Sequence, residues 1–108
     1  MATVAKRKKK LVLSREVKAF AKERGLTPYL PRIVDVLQDI FADAAGTRVE
    51  VHQDPEVAEL RWLLFGVEVP WETSNQALHA KHQWYDSLHE FCPASVREEV
   101  ILMVRRRP

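Results

Sequence analysis

Residues 61–70, RWLLFGVEVP, form a nearly continuous apolar run that ends at a proline, and this run decides the fold. Together with the residues just before it, the run predicts a β-strand over about residues 58–69, whose side chains point alternately to two faces. One face carries four apolar residues: Leu63, Phe65, Val67 and Val69. The opposite face carries three: Leu60, Trp62 and Leu64. Because part of the strand is apolar on both sides, each face of its sheet needs a cover.

The residues before this strand predict a hairpin partner for it. From Thr47 onward, Val49 and Val51 alternate with polar side chains, which is the period of a half-buried strand. The pair Asp54-Pro55 then supplies a turn. We therefore expect the two strands to pair in an antiparallel hairpin.

Residues 14–45 predict two helices joined by a short connection. Ser14 is a favourable N-cap and Gly25 a favourable end for a first helix over about residues 15–24. The second helix begins in one of two ways: Thr27 caps it with Pro28 in the first turn, or Pro31 marks the first turn. Apolar residues at helical spacing then continue to about residue 45.

The residues after the long strand predict a third helix and a final segment. Thr73 and Gln76 have the spacing of a capping box for a helix over residues 74–91, and Cys92-Pro93 ends it. Residues 96–104 are open to two interpretations, because Ser95 is a possible helix cap while three β-branched residues lie between positions 100 and 104. We favour a strand, since the preceding helix can act as a crossover.

These elements predict an α+β fold with the order α-α-β-β-α-β. A three-stranded, mainly antiparallel sheet packs with helices and an N-terminal helical hairpin. The chain has 108 residues, of which 46% are hydrophobic, so we expect one domain over residues 11–104. The helical hairpin or a second copy of the chain is available to cover the face that carries Trp62.

The two ends of the chain carry clustered positive charge. The N-terminal cluster is Lys6, Arg7, Lys8, Lys9 and Lys10, and the C-terminal cluster is Arg105, Arg106 and Arg107. Nine basic and fifteen acidic residues remain in positions 11–104, a net charge of −6 against +2 for the whole chain. Residues 1–10 are therefore interpreted as a flexible basic arm and residues 105–108 as a basic tail. Such ends either keep the protein soluble or bind phosphates or an acidic partner.

Several classes of function lack their sequence signals. The three glycines are scattered, so neither a Walker loop nor a dinucleotide fingerprint is present. A single cysteine, Cys92, excludes an internal disulfide, which is typical of a reducing compartment. There is no signal-peptide core and no apolar stretch of membrane-spanning length, and we expect a cytoplasmic protein that does not bind membranes.

Chemical motifs are weak. His79, His82, Asp86 and His89 share one face of the third helix, but His79 and His89 are about 15 Å apart along it, so at most a pair such as His79 with His82 would hold a metal. A solvated face is the favoured interpretation, and we expect no cofactor. No nucleophile is accompanied by a recognisable base and oxyanion donor, so we do not expect an enzyme.

The remaining interpretation is a non-catalytic interaction module. Its size and charge layout resemble those of the small accessory or antitoxin-like proteins of bacteria, an analogy of architecture alone. We expect the module to bind a protein partner or a second copy of itself, either through an edge of the sheet or through the apolar sheet face of Leu60, Trp62 and Leu64. The alternative is a nucleic-acid-binding protein that uses the basic arms.

Overall fold

The computed structural model describes residues 11–70 and 74–106. Seven elements follow one another: α1 (Arg15–Glu23), α2 (Leu30–Ile40), β1 (Gly46–Gln53), β2 (Arg61–Val69), α3 (Ser74–Phe91), α4 (Ala94–Arg97) and β3 (Val100–Arg106). The predicted α+β fold and its α-α-β-β-α-β order are confirmed. The favoured interpretation of the last segment is confirmed, because Val100–Arg106 form a strand. The alternative helix capped by Ser95 is wrong: the helical turn α4 is capped by Pro93 and ends at Arg97.

The three strands form one mixed sheet in the order β1-β2-β3. β1 and β2 are the predicted antiparallel hairpin, in which Val49 lies opposite Phe65. β3 runs parallel to β2 and places Leu102 beside Phe65. A parallel neighbour needs a long crossover, and α3 with α4 supplies it. β2 is therefore the central strand, hydrogen-bonded along both sides.

The ends of α1 follow from its sequence. The Ser14 hydroxyl accepts a hydrogen bond from the Val17 amide at 3.1 Å, as an N-cap does. Gly25 ends the helix with a φ of 74°, in the left-handed region that a residue without a Cβ adopts readily. The Leu26 amide then donates to the Ala21 carbonyl at 2.7 Å and closes the turn.

α2 is shorter than the periodicity predicts. It begins at Leu30 with Pro31 in its first turn, which is the second of the two starts considered. It ends at Ile40, and the chain then leaves for the sheet, where the Ala45 amide donates to the Glu68 carbonyl at 2.7 Å. The apolar periodicity beyond residue 40 is satisfied by packing of Phe41 in the core instead of by further helix.

The core lies between the helices and one face of the sheet. That face is the predicted row of β2, whose members Leu63, Phe65, Val67 and Val69 are at most 2% exposed. Phe65 contacts Trp84 of α3, with ring centroids 5.5 Å apart, and residues of α1, α2, α3 and α4 complete the same cluster. Leu64, the neighbour on the opposite face, does not belong to this cluster. The helices are therefore all on one side of the sheet.

Two contacts hold the edges of this layer. The Tyr85 hydroxyl of α3 accepts a hydrogen bond from the Leu102 amide at 3.1 Å, which satisfies an outward-facing donor of the edge strand β3. Arg24, at the end of α1, donates to the Glu99 carboxylate at 2.8 Å and joins the helix to the start of β3. Within the described ranges, no helix is long and apolar enough to cross a membrane.

Candidate interaction surface

The second face of the sheet carries no helix in the described part of the chain. We call it the open face. Its side chains follow from strand register and alternate along each strand: Arg48, Glu50 and His52 of β1; Trp62, Leu64, Gly66 and Glu68 of β2; Ile101, Met103 and Arg105 of β3. This face carries Trp62 and Leu64, and it is one of the two faces that the sequence predicts to be covered.

An apolar row crosses the middle of the open face. Leu64 is 4% exposed and lies between Glu50 on one side and Ile101 on the other. Ile101 and Met103 are each 40% exposed, and Trp62 is half-buried. Large apolar side chains that stay accessible next to one another on a sheet are typical of a surface that contacts another molecule.

Trp62 has an ordered neighbour on the next strand. His52 lies opposite it across the hairpin, and the two rings are tilted by 32° with centroids 6.1 Å apart. The His52 Nε2 atom is 3.0 Å from the Glu50 carboxylate, which orients the imidazole along β1. The His52–Trp62 pair therefore forms one end of the open face, and the Glu50 carboxylate fixes the orientation of the His52 ring.

Gly66 allows an arginine to lie across the sheet. A Cβ at this position would be 3.1 Å from the Cζ atom of Arg48 and 3.3 Å from its Cγ and Nε atoms. The absent side chain thus leaves a shallow depression in the central strand, and the Arg48 side chain occupies it. The Arg48 Nε atom is 3.7 Å from the Glu50 carboxylate, and the arginine side chain remains 46% exposed.

The charges of the open face balance. Arg48 and Arg105 are positive, Glu50 and Glu68 are negative, and Glu68 lies beside Arg105 in the strand register. A surface with both signs close together attracts neither phosphate nor a strongly acidic partner over distance. It is compatible with contact against a surface of the same composition.

The predicted interface residues do not all share this surface. Trp62 and Leu64 lie on the open face as expected. Leu60 is half exposed but precedes β2, because its amide donates to the Val57 carbonyl and its own carbonyl accepts from the Asp54 amide. The Asp54 carboxylate also accepts from two backbone amides of the turn, so the strand starts at residue 61, not 58.

The sequence pattern did not identify Ile101 and Met103 as residues of the candidate interface. Their signal is the alternation of Val100–Val104, in which every second residue faces the core. That alternation could be used only after the segment was known to be a strand beside β2, since the partner strand decides which of its two faces is covered.

The predicted nucleic-acid residues lie mostly beyond the described ranges. Residues 6–10 and Arg107 are outside them. Arg105 is exposed, and it and Arg106 continue β3 beside Glu68 and Val69, so the strand runs two residues into the segment interpreted as a basic tail. Arg105 is therefore a residue of strand β3 and does not belong to a separate tail.

The other candidate chemistry is dispersed or buried. His79 and His82 are exposed on α3, and no three potential metal ligands come together anywhere in residues 11–70 and 74–106. Cys92 is 3% exposed, and this burial raises the pKa of its thiol more than the charges of Arg97 and Arg32 lower it. The thiol therefore stays protonated at neutral pH, which suits packing and not nucleophilic chemistry.

Comparison with known proteins gives no family for this chain. No protein-family model matches it, and no curated protein or solved structure is significantly similar to it.

Proposed function

We propose that this protein is a non-catalytic interaction module of the cytoplasm that binds a protein through the open face of its sheet, and that the bound protein is a second copy of the chain. The observation that carries the proposal is the placement of every described helix on the other side of the sheet, with Trp62, Ile101 and Met103 left accessible. Its small α+β body resembles that of antitoxin-like accessory proteins of bacteria in architecture.

The balanced charge of the open face favours self-association. In a two-fold dimer the same patch meets itself, so a patch of a single sign would repel its copy. Here Arg48 and Arg105 can meet Glu50 and Glu68 of the second molecule. Two sheets packed face to face about 10 Å apart are an ordinary arrangement for apolar rows of this kind.

The size of the open face sets the strength expected. Three strands about 4.8 Å apart and a central strand of nine residues give a face on the order of 15 × 30 Å. That area of roughly 450 Å² is smaller than the ~800 Å² per partner of a stable interface. We therefore expect a weak dimer, with a dissociation constant in the micromolar range or above.

The test is the concentration dependence of the molecular mass, measured by sedimentation equilibrium. The double variant Ile101→Lys with Met103→Lys places two like charges on each open face and should remain monomeric at concentrations where the unchanged chain dimerises. Both positions are already 40% exposed, so the variant should keep its helical circular dichroism and cooperative unfolding. Leu78→Lys is the matched control, because Leu78 is 53% exposed on α3.

Three results would contradict the proposal. The first is a monomer at every concentration up to the millimolar range. The second is dimerisation that survives the double variant. The third is equal loss in the Leu78→Lys control, which would place the contact on the helices. If the unchanged chain binds a different protein and the double variant does not, the open face is still the interface, but its partner is that protein and not a second copy of the chain.

Nucleic-acid binding by the basic ends is the second candidate function. It is favoured by the exposure of Arg105 at the end of β3, next to the C-terminal arginines in sequence. Eight neutralised phosphates would give a log–log salt dependence with a slope near −7. Titration of a labelled duplex at several salt concentrations, with and without residues 1–10, measures this slope, and binding that is unaffected by the deletion would contradict a role for the N-terminal arm.

A further inference from the structure

A groove of about 530 Å³ opens in the helical layer, between α1 and the start of α2. Its walls and floor are apolar, formed by Leu13, Ala21, Pro28, Leu30 and Pro31. Ala21 and Leu30 also belong to the core, so the floor is continuous with the packed interior. A volume of this order holds several apolar side chains of a ligand.

The rim of the groove is positive. Lys18 and Lys22, one helical turn apart on α1, line it, and both are exposed. The ammonium group of neither lysine has a hydrogen-bond or ion-pair partner among residues 11–70 and 74–106. Each ammonium group is therefore available for a ligand at no cost in broken contacts.

The sequence carries further positive charge before the first groove residue. Leu13 lines the groove, and Lys10 precedes it by three residues in the sequence. Lys10 is the last of five consecutive basic residues. An apolar groove bordered by lysines and joined to a basic segment complements a ligand that is apolar in the middle and acidic at its edges.

We propose that this groove binds an acidic segment of a partner protein, whose apolar side chains enter the trough while its carboxylates meet Lys18 and Lys22. The site is separate from the open face and stands whether or not the sheet dimerises. Because Lys18 and Lys22 are positive, the basic sequence of residues 6–10 is a poor occupant for the groove, whereas an acidic segment is attracted to both lysines.

A comparative peptide selection tests the proposal. A display library of random short peptides is selected in parallel on the full chain and on the Thr27→Trp variant, in which an indole fills the groove. Thr27 lines the groove and is exposed, so the substitution should leave the fold intact. We expect peptides with leucine or phenylalanine flanked by aspartate or glutamate to be enriched on the full chain only.

The affinity of one enriched peptide, labelled with fluorescein, then separates the contributions. The double variant Lys18→Glu with Lys22→Glu should weaken binding by about tenfold or more, because two attractions become repulsions. Lys81→Glu on α3 changes charge outside the groove and should alter the affinity less than twofold. Circular dichroism and thermal unfolding of each variant verify that it is folded, and a variant that fails is replaced by Lys18→Gln with Lys22→Gln.

Other outcomes would overturn the proposal. These are the absence of enrichment over the Thr27→Trp protein, enrichment of basic or purely apolar peptides, and binding that is unchanged by the Lys18 and Lys22 variants. Self-association that disappears in the Thr27→Trp variant but not in the open-face variant would assign the groove to a second copy and would also overturn it.

Discussion

Replacement of Gly66 by alanine tests whether the stability of the protein requires the Arg48 side chain to lie against residue 66 of the open face. Gly66 is buried in the central strand, and its φ lies outside the left-handed region, so alanine can adopt the same backbone. The three atoms nearest to the new methyl group would all belong to the Arg48 side chain, at 3.1–3.3 Å. These atoms belong to a flexible side chain that is 46% exposed, and the side chain can move into solvent.

The magnitude follows from two opposing contributions. Glycine within a strand is roughly 0.5–1 kcal/mol less favourable than alanine, because a glycine loses more backbone conformational entropy on folding. Displacement of Arg48 costs its 3.7 Å contact with Glu50, and an exposed ion pair of this kind contributes about 0–1 kcal/mol. The free energy of unfolding of Gly66→Ala should therefore change by between about −0.5 and about +1 kcal/mol.

Urea unfolding followed by tryptophan fluorescence measures this free energy, with the slope against denaturant as a check on two-state behaviour. Gly46→Ala is the control, because no atom lies within 4 Å of a Cβ there, so it reports the backbone contribution alone. In the dimer assay, the displaced Arg48 should project from the open face and weaken self-association. A loss of more than about 2 kcal/mol in Gly66→Ala would refute the reasoning, since it would mean that Arg48 cannot leave the sheet.

Three further outcomes are expected. Gly25→Ala should lower the free energy of unfolding by about 1 kcal/mol through backbone strain alone, since φ is 74° and no atom is within 4 Å of the new Cβ; a neutral denaturation midpoint would contradict this. A double-mutant cycle of Arg24→Ala and Glu99→Ala should give a coupling energy of about 0.5–1.5 kcal/mol, and additivity would show that the 2.8 Å contact contributes nothing. The raised pKa of Cys92 makes its ionisation easier in the unfolded chain, whose thiol titrates near 9.0. Stability should therefore be intact below that pH and fall above it, with a smaller fall in Cys92→Ala measured by thermal unfolding across pH 7–10.

The open face was predicted in part. Trp62 and Leu64 were identified from the alternation of a strand that is apolar on both sides, and that part of the surface needed no tertiary information. The depression at Gly66 had no sequence signal, because it depends on the register that brings Arg48 beside it. The groove between α1 and α2 is likewise invisible in the sequence, since it depends on the angle at which the two helices pack.

Local order was determined by the sequence itself. The Ser14 cap and Gly25 bound α1, and the period-two row from Leu63 identifies the core face of β2, because capping and alternation act between residues close together in the chain. The tertiary structure alone decided that β3 pairs parallel to β2 and that all described helices pack on one side of the sheet. An apolar face specifies that it must be covered, but which element covers it depends on contacts between distant residues, and one face was left open.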